Sequence, residues 1–501
     1  MSFGPPPSIY TQSALAADGE RRKRRRRLFG TVAAAVVVLA AVAGGALVLA
    51  AGDDTSSGPR QAAAPAPDAI RQTTETAPAS PEGQVVVDHY EENLPRESDP
   101  SPRYAPGTWA TGKILAKGIG TRIIGVRTEP GADETAWTLQ LEGHLCATSG
   151  HVTVDGRTAV VVQPAERKGT KDAGICDEVV LVDLNTGKKL WTARMPSARE
   201  AYVTNTNLTL TKGVVAVAWG HGSVAYDMER GKRLWSSATG EKCVDKGFAG
   251  GGALLALESC GEGADTTYRV QKLDPRTGRA RWTYKVAAGV QDVHLPSADP
   301  PVLAVAAGDT LVTDLITLDG DDGGTLATIS MGGDAYDPEC GDRYFSSGYF
   351  GDIENCDGVV VGRDQVFVTS KDRSEIGQPE NWIVAFDRTT GKTEAKLDGR
   401  SLEPVVPLRM SGDRLLVLRS SLSDIEPSAV LSWDPHTGRR TPYLLFGLPA
   451  DDEGELSDPT RSDILVEQGR VFFAKRELAA DDKHPKDAVL SVLGIGSAGS
   501  G

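Results

Sequence analysis

The chain of 501 residues has little of what enzyme chemistry uses. It holds seven His, five Met and six Cys. The His residues are scattered, and none stands at metal-ligand spacing. His144 and His151 flank one loop and read as solvent-exposed or strand-end side chains. No two Cys are adjacent or arranged as Cys-x-x-Cys, which argues against zinc and thioredoxin-type chemistry. There is no Gly-x-Ser-x-Gly elbow, no Walker phosphate loop and no His-Glu-x-x-His. Gly250–Gly252 lacks the strand-to-helix setting of a phosphate cradle. Asp319–Gly324 has the look of a calcium loop, but it lacks the third acidic ligand and carries Ser330 where position twelve needs Glu. A surplus of positive charge is missing too. Lys and Arg number 54 against 68 Asp and Glu, for a net charge of -14. Such a chain is a poor partner for nucleic acid.

What positive charge there is gathers at the start. Arg21–Arg27 is an unbroken basic run, and Leu28–Ala51 follows without one charged residue. A helix over 28–51 would reach about 36 Å at about 1.5 Å per residue, enough for a hydrocarbon core of about 30 Å. The basic run then holds residues 1–27 in the cytoplasm and places the remainder outside. The apolar stretch exceeds the core of about 7–15 residues usual in a cleaved signal, so an uncleaved single-pass anchor is expected. Cleavage near Ala50–Gly52 and a twin-arginine signal at Arg26–Phe29 are the alternatives. No lipobox Cys is present. Residues 52–106 are rich in Pro, Ala and Ser, the composition of an extended, disordered linker. Within it, Val85–Val87 is the stretch suited to pair as an edge strand.

Beyond the linker the chain repeats itself. Val179–Trp191 reads as a strand, a tight turn and a second strand, with Asp183, Gly187 and Trp191 at fixed offsets. The pattern returns at Asp227, Gly231 and Trp235, and at Asp274, Gly278 and Trp282. It returns again at Asp387 and Gly391, and at Asp434 and Gly438, with Ala395 and Pro442 in the place of Trp. Asp319 with Gly323 is a worn copy. The Asp side chain accepts a backbone hydrogen bond two residues on and starts the turn. The Gly closes it at positive φ, where other residues are strained. A flat Trp on the return strand suits packing between neighbouring sheets. A further strand precedes each hairpin, as at Val214–Trp219 and Leu415–Leu418. The copies are 44–47 residues apart, with one interval of 68. A period of roughly 40–50 with several short strands is the signature of a β-propeller.

The repeated Ala-x-Asp-x-x-Thr-Gly-x-x-x-Trp resembles the pyrroloquinoline-quinone-like propeller repeat, over residues 105–495. The resemblance implies an all-β ring of seven or eight blades. Eight is favoured, because 112–141 forms a degenerate first repeat and the last repeat stops where its hairpin turn should come. Strands from both ends of the chain would complete that blade. The family includes quinoprotein alcohol dehydrogenases and members without cofactor. The dehydrogenases carry a vicinal Cys pair and calcium ligands in a central funnel, and many carry Cys-x-x-Cys-His. This chain has neither Cys motif.

The expectation is therefore a membrane-tethered, extracytoplasmic propeller, monomeric and without cofactor, metal or catalytic residue. It would bind a protein, glycan or small ligand, with a quinone-and-calcium enzyme as the alternative. Outside the membrane six Cys read as disulfides. Proximity pairs Cys146 with Cys176, Cys243 with Cys260, and Cys340 with Cys356. The last two bracket an insertion in the 68-residue interval, with Tyr344, Phe345, Tyr349 and Phe350 as a binding element or a decorated loop. The Gly/Ser-rich tail 494–501 is expected to be disordered.

Overall fold

Hairpins form where the repeat places them. The Asn185 backbone N–H donates to Asp183 Oδ1 at 2.9 Å, and Gly187 closes the turn at φ +67°. The same Asp-to-backbone bonds stand at Asp274, Asp319, Asp387 and Asp434. The computed structural model describes residues 65–98, 103–129, 135–164, 174–237 and 243–497, apart from 262, 309–310, 333–334, 337, 342–352, 355, 373–377 and 423–425. Residues 67–501 make up one unit and 1–66 another, of which only 65 and 66 are described.

The described residues form eight four-stranded antiparallel sheets. Blades 1 to 7 span residues 108–140, 143–194, 207–237, 243–285, 290–330, 359–398 and 405–446. Blade 8 takes Ser462–Glu467, Arg470–Lys475 and Val489–Ser497 from the end of the chain and Gly83–Glu91 from its start. Among the described residues, helix is confined to Glu453–Leu456 and a 3-10 turn at Gly263–Asp265.

Period-two alternation explains the ring. On the second strand of blade 3, Val215 and Val217 face blade 2, while Ala216 and Ala218 face blade 4. Every strand buried on both faces repeats this, so eight separate apolar clusters form, one between each pair of neighbouring blades. The cluster joining blade 8 to blade 1 includes Val86, Val87, Phe472 and Val492 on one side and Leu115, Ile124 and Val126 on the other. The Trp residues add a second link. The Trp191, Trp235 and Trp282 indoles donate to the carbonyls of Met228, Pro275 and Gly320 on the following blade.

Two expectations are corrected here. The stretch 52–106 is not all extended linker, since Gly83–Glu91 pairs along its whole length with Val489–Ser497. The terminal Gly residues are not a loose tail up to Ser497. Gly494 pairs with Val87 and Phe472, and a Cβ there would stand 2.8 Å from the Phe472 ring. Small residues let three strands approach a bulky ring, and composition alone reads them as flexible.

All three disulfides pair as proximity suggested. Cys243–Cys260 and Cys340–Cys356 each join directly opposed residues of antiparallel strands. Among the described residues no helix is long and apolar enough to cross a membrane. The basic run 21–27, the apolar stretch 28–51 and the aromatics at 344–350 lie outside the described residues.

Candidate functional site

The innermost strands of a propeller surround its axis, so what they present there is what a ligand in the channel would meet. Thr108, Thr148, Asn207, Val359, Leu408 and Asp463, from six different blades, line one cavity of about 370 Å3. Its charged wall is built by blades 1 and 8. Lys117 stands in the apolar strand Ile114–Ile119 and is 1% exposed. Its Nζ donates to Thr108 Oγ1 at 2.9 Å and lies 3.4 Å from Asp463 Oδ2. Thr108 Oγ1 donates to the same carboxylate oxygen at 2.7 Å. Arg476 donates through Nε to Asp463 Oδ1 at 2.8 Å and through Nη1 to Asp357 Oδ2 at 3.2 Å. Burial pushes the Lys117 ammonium down to about 8, against the pull of Asp463. Burial would raise Asp463, but the charges of Lys117 and Arg476 outweigh it and hold that carboxyl at about 2.

Glu354, Cys356 and Asp357, at the end of the insertion between blades 5 and 6, line the channel. Asp357 lies at the base of the insertion, where the chain enters the innermost strand of blade 6. Ile353 accepts a hydrogen bond on its carbonyl from Leu295 N–H at 2.8 Å. Glu354 Oε1 accepts from Gly250 N–H at 2.5 Å and pairs with His151 Nε2 at 2.9 Å. Gly250 and His151 belong to the loops that leave the innermost strands of blades 4 and 2. Glu354 therefore reaches the end of the channel opposite Asp357. Gly247 makes room for it, since a Cβ there would stand 2.4 Å from Ile353 Cγ1. Burial would lower the His151 imidazole, and the Glu354 carboxylate overcomes this and raises it. His151 is thus an ion-pair partner in the channel and not only a strand-end side chain.

The predicted turn residues are not brought to this site. They stand on the hairpin turns outside the innermost strands, with their Asp side chains bonded to their own turns or neighbours. The Arg276 guanidinium beside Asp227, at 2.9 Å, holds that carboxyl below its usual range. Hydrogen bonds from Thr277 and Arg281 do the same for Asp274, with that of Arg281 the stronger influence.

These donors do not fit a calcium-held quinone. Asp463 is held by Lys117 and Arg476, Asp357 by Arg476, and Glu354 by His151 and Gly250. Among the described residues no three His, Cys, Asp or Glu side chains gather as a metal site.

A sequence-family model described as outer membrane protein assembly factor BamB, of the pyrroloquinoline-quinone-like repeat type, matches residues 120–394. That is more than half of the chain. The chain belongs to this family. No curated protein sequence matches it. Among solved structures it is similar to BamB from Moraxella catarrhalis, at 14% identity and a TM-score of 0.41, over 81% of this chain and 99% of that one. It is also similar to the quinohemoprotein alcohol dehydrogenase ADHIIG from Pseudomonas putida HK5, at 11% identity and a TM-score of 0.45, over 84% and 77% of the two chains. A europium-containing methanol dehydrogenase is similar at 11% identity and a TM-score of 0.46, over 83% and 93%. At these values none of the three bears on activity or partner. In this BamB-family propeller Glu354 and Asp357, from the end of the insertion after blade 5, are bonded to side chains and backbone of other blades at the channel.

Sequence reasoning missed Lys117, Asp463, Arg476 and Glu354. One signal was there to use. A lysine at the fourth position of Ile-Leu-Ala-Lys-Gly-Ile has to find a buried partner.

Proposed function

We propose that this chain is a non-catalytic propeller that binds another protein at the cell envelope, tethered to the membrane by residues 28–51 with residues 1–27 in the cytoplasm. The observation that carries the reading is the channel. Asp463, Asp357 and Glu354 are already committed to cations of the chain. A small-molecule reaction needs an open, convergent donor set, whereas a channel whose charged groups are paired with one another leaves the ring faces to bind macromolecules. Membership of a family described as an assembly factor supports the same reading. Six Cys paired as three disulfides support an oxidising compartment.

Titration of the purified full chain with pyrroloquinoline quinone, with and without calcium, tests the non-catalytic part by absorbance and thermal shift. No saturable stabilisation is expected, and a saturable one restores the enzyme alternative. Crosslinking in intact cells tests the partner. A discrete envelope protein should be captured at ring-face positions and not at rim positions.

A further inference from the structure

The segment before blade 8's first-contributed strand is docked over the turns that end the innermost strands. On blade 2, Asp155 and Val154 donate backbone N–H groups to the carbonyls of Pro67 and Ala69, at 3.1 and 2.9 Å, and Arg71 N–H donates to Val152 O at 2.8 Å. The segment then crosses to blades 7 and 8. Arg71 Nη2 donates to Glu467 Oε1 at 2.5 Å, and Arg409 Nη1 donates to the Thr73 carbonyl at 2.7 Å. Glu75 N–H donates to Ser411 Oγ at 2.8 Å.

Four residues after Arg71, the Glu75 side chain enters a pocket and is 2% exposed. Four donors converge on it. Gln468 N–H reaches Oε1 and Gly469 N–H reaches Oε2, both at 3.0 Å. Tyr443 donates its hydroxyl to Oε2 at 2.6 Å, and the Arg409 guanidinium closes on Oε1. Gln468 and Gly469 both have positive φ, which turns two successive N–H groups toward one anion. Every donor belongs to blades 7 and 8, and none to the segment that supplies the carboxylate. The two-residue loop 468–469 has positive φ at both positions, the type I′ geometry that suits the hairpin it closes, so the hairpin itself holds these two N–H groups in place.

We propose that this pocket is a receptor for an extended acidic peptide, one with an arginine four residues before a glutamate, and that the chain's own 67–79 segment occupies it in cis. A tethered ligand competes at an effective concentration in the millimolar range, so a partner peptide gains entry only when the tethered copy is weakened or outcompeted. The assignment deepens the protein-binding reading above by naming the partner's chemistry and the face it uses.

The test is a fluorescent peptide of residues 67–79, titrated by polarisation into the full chain and into the full chain carrying Arg71→Ala and Glu75→Gln. The peptide is expected to bind the double variant about tenfold or more tighter than the wild type, and to lose that binding when its own Glu is changed to Gln. Arg409→Ala added to the double variant should abolish it. Equal binding to both chains overturns the proposal, as does no binding to a double variant that still melts cooperatively. If the double variant does not fold, Arg71→Ala alone takes its place, because it leaves the buried carboxylate where it is. The assay uses purified chain, so its failure removes the receptor and leaves envelope binding to the crosslinking test.

Discussion

Replacing Gly187 and Gly438 separately by Ala isolates what the repeated Trp contributes. Both glycines close the same turn, at φ +67° and +71°, so the backbone penalty is common to the two. A left-handed Ala costs about 1–2 kcal/mol. The surroundings differ. A Cβ at Gly438 meets nothing within 4 Å, whereas one at Gly187 would stand 2.3 Å from Trp137 Cδ2. Trp137 belongs to the neighbouring blade and would have to move, and forcing such a contact costs a further 1–3 kcal/mol or so, about the usual range for overpacking. Gly438→Ala should therefore cost about 1–2 kcal/mol and Gly187→Ala about 2–5 kcal/mol. With about 2.1 cal/mol/K per residue over roughly 400 residues, 1 kcal/mol moves Tm by about 1 °C. Scanning calorimetry should separate the two variants by about 1–3 °C. In a Trp137→Ala background the two substitutions should become equal. Equal shifts in the wild-type background would refute the packing account, because the backbone term would then explain everything.

Asp463→Asn leaves the Lys117 ammonium buried against Thr108, and breaking such a pair costs about 3–5 kcal/mol. Lys117 already sits at about 8, so raising the pH through that value neutralises it, and the melting deficit of the variant should shrink. A deficit that grows with pH counts against the assignment. His151 is raised in the folded chain, so its stabilisation is complete below the ordinary value and is lost as pH rises through the folded one. The melting gap between wild type and His151→Gln should narrow as the pH rises from the ordinary imidazole value through the raised folded one, and a widening gap refutes the ion pair. Replacing Cys146 and Cys176 by Ala opens a 30-residue loop inside a blade and should cost about 3–4 kcal/mol, read as a lower Tm that reductant no longer changes at that site.

The ring was legible because a propeller states the same instruction many times. One Asp-x-x-x-Gly turn is weak, but copies at constant spacing leave few architectures that can use them. The worn first repeat was recoverable for the same reason: Ile114–Ala116, Ile123–Val126 and Trp137 fall one period before Trp191. The closure was only half legible. The missing last hairpin showed that a strand had to come from elsewhere, and Val85–Val87 was a suitable stretch. Its partners are more than 400 residues away, and Pro, Ala and Ser on either side gave the segment the composition of a linker.

The channel is illegible for the converse reason, since it is made of what the blades do not share. Lys117 and Asp463 are 346 residues apart and belong to blades that meet only when the ring closes. Glu354 pairs with His151 across 203 residues, and it belongs to an insertion of no periodic character. Repetition places the innermost strands but says nothing of the side chains each one turns inward. A buried charge inside an apolar strand is the exception, because it demands a partner even when the partner cannot be located. Lys117 makes that demand from sequence alone, and answering it required the closed ring.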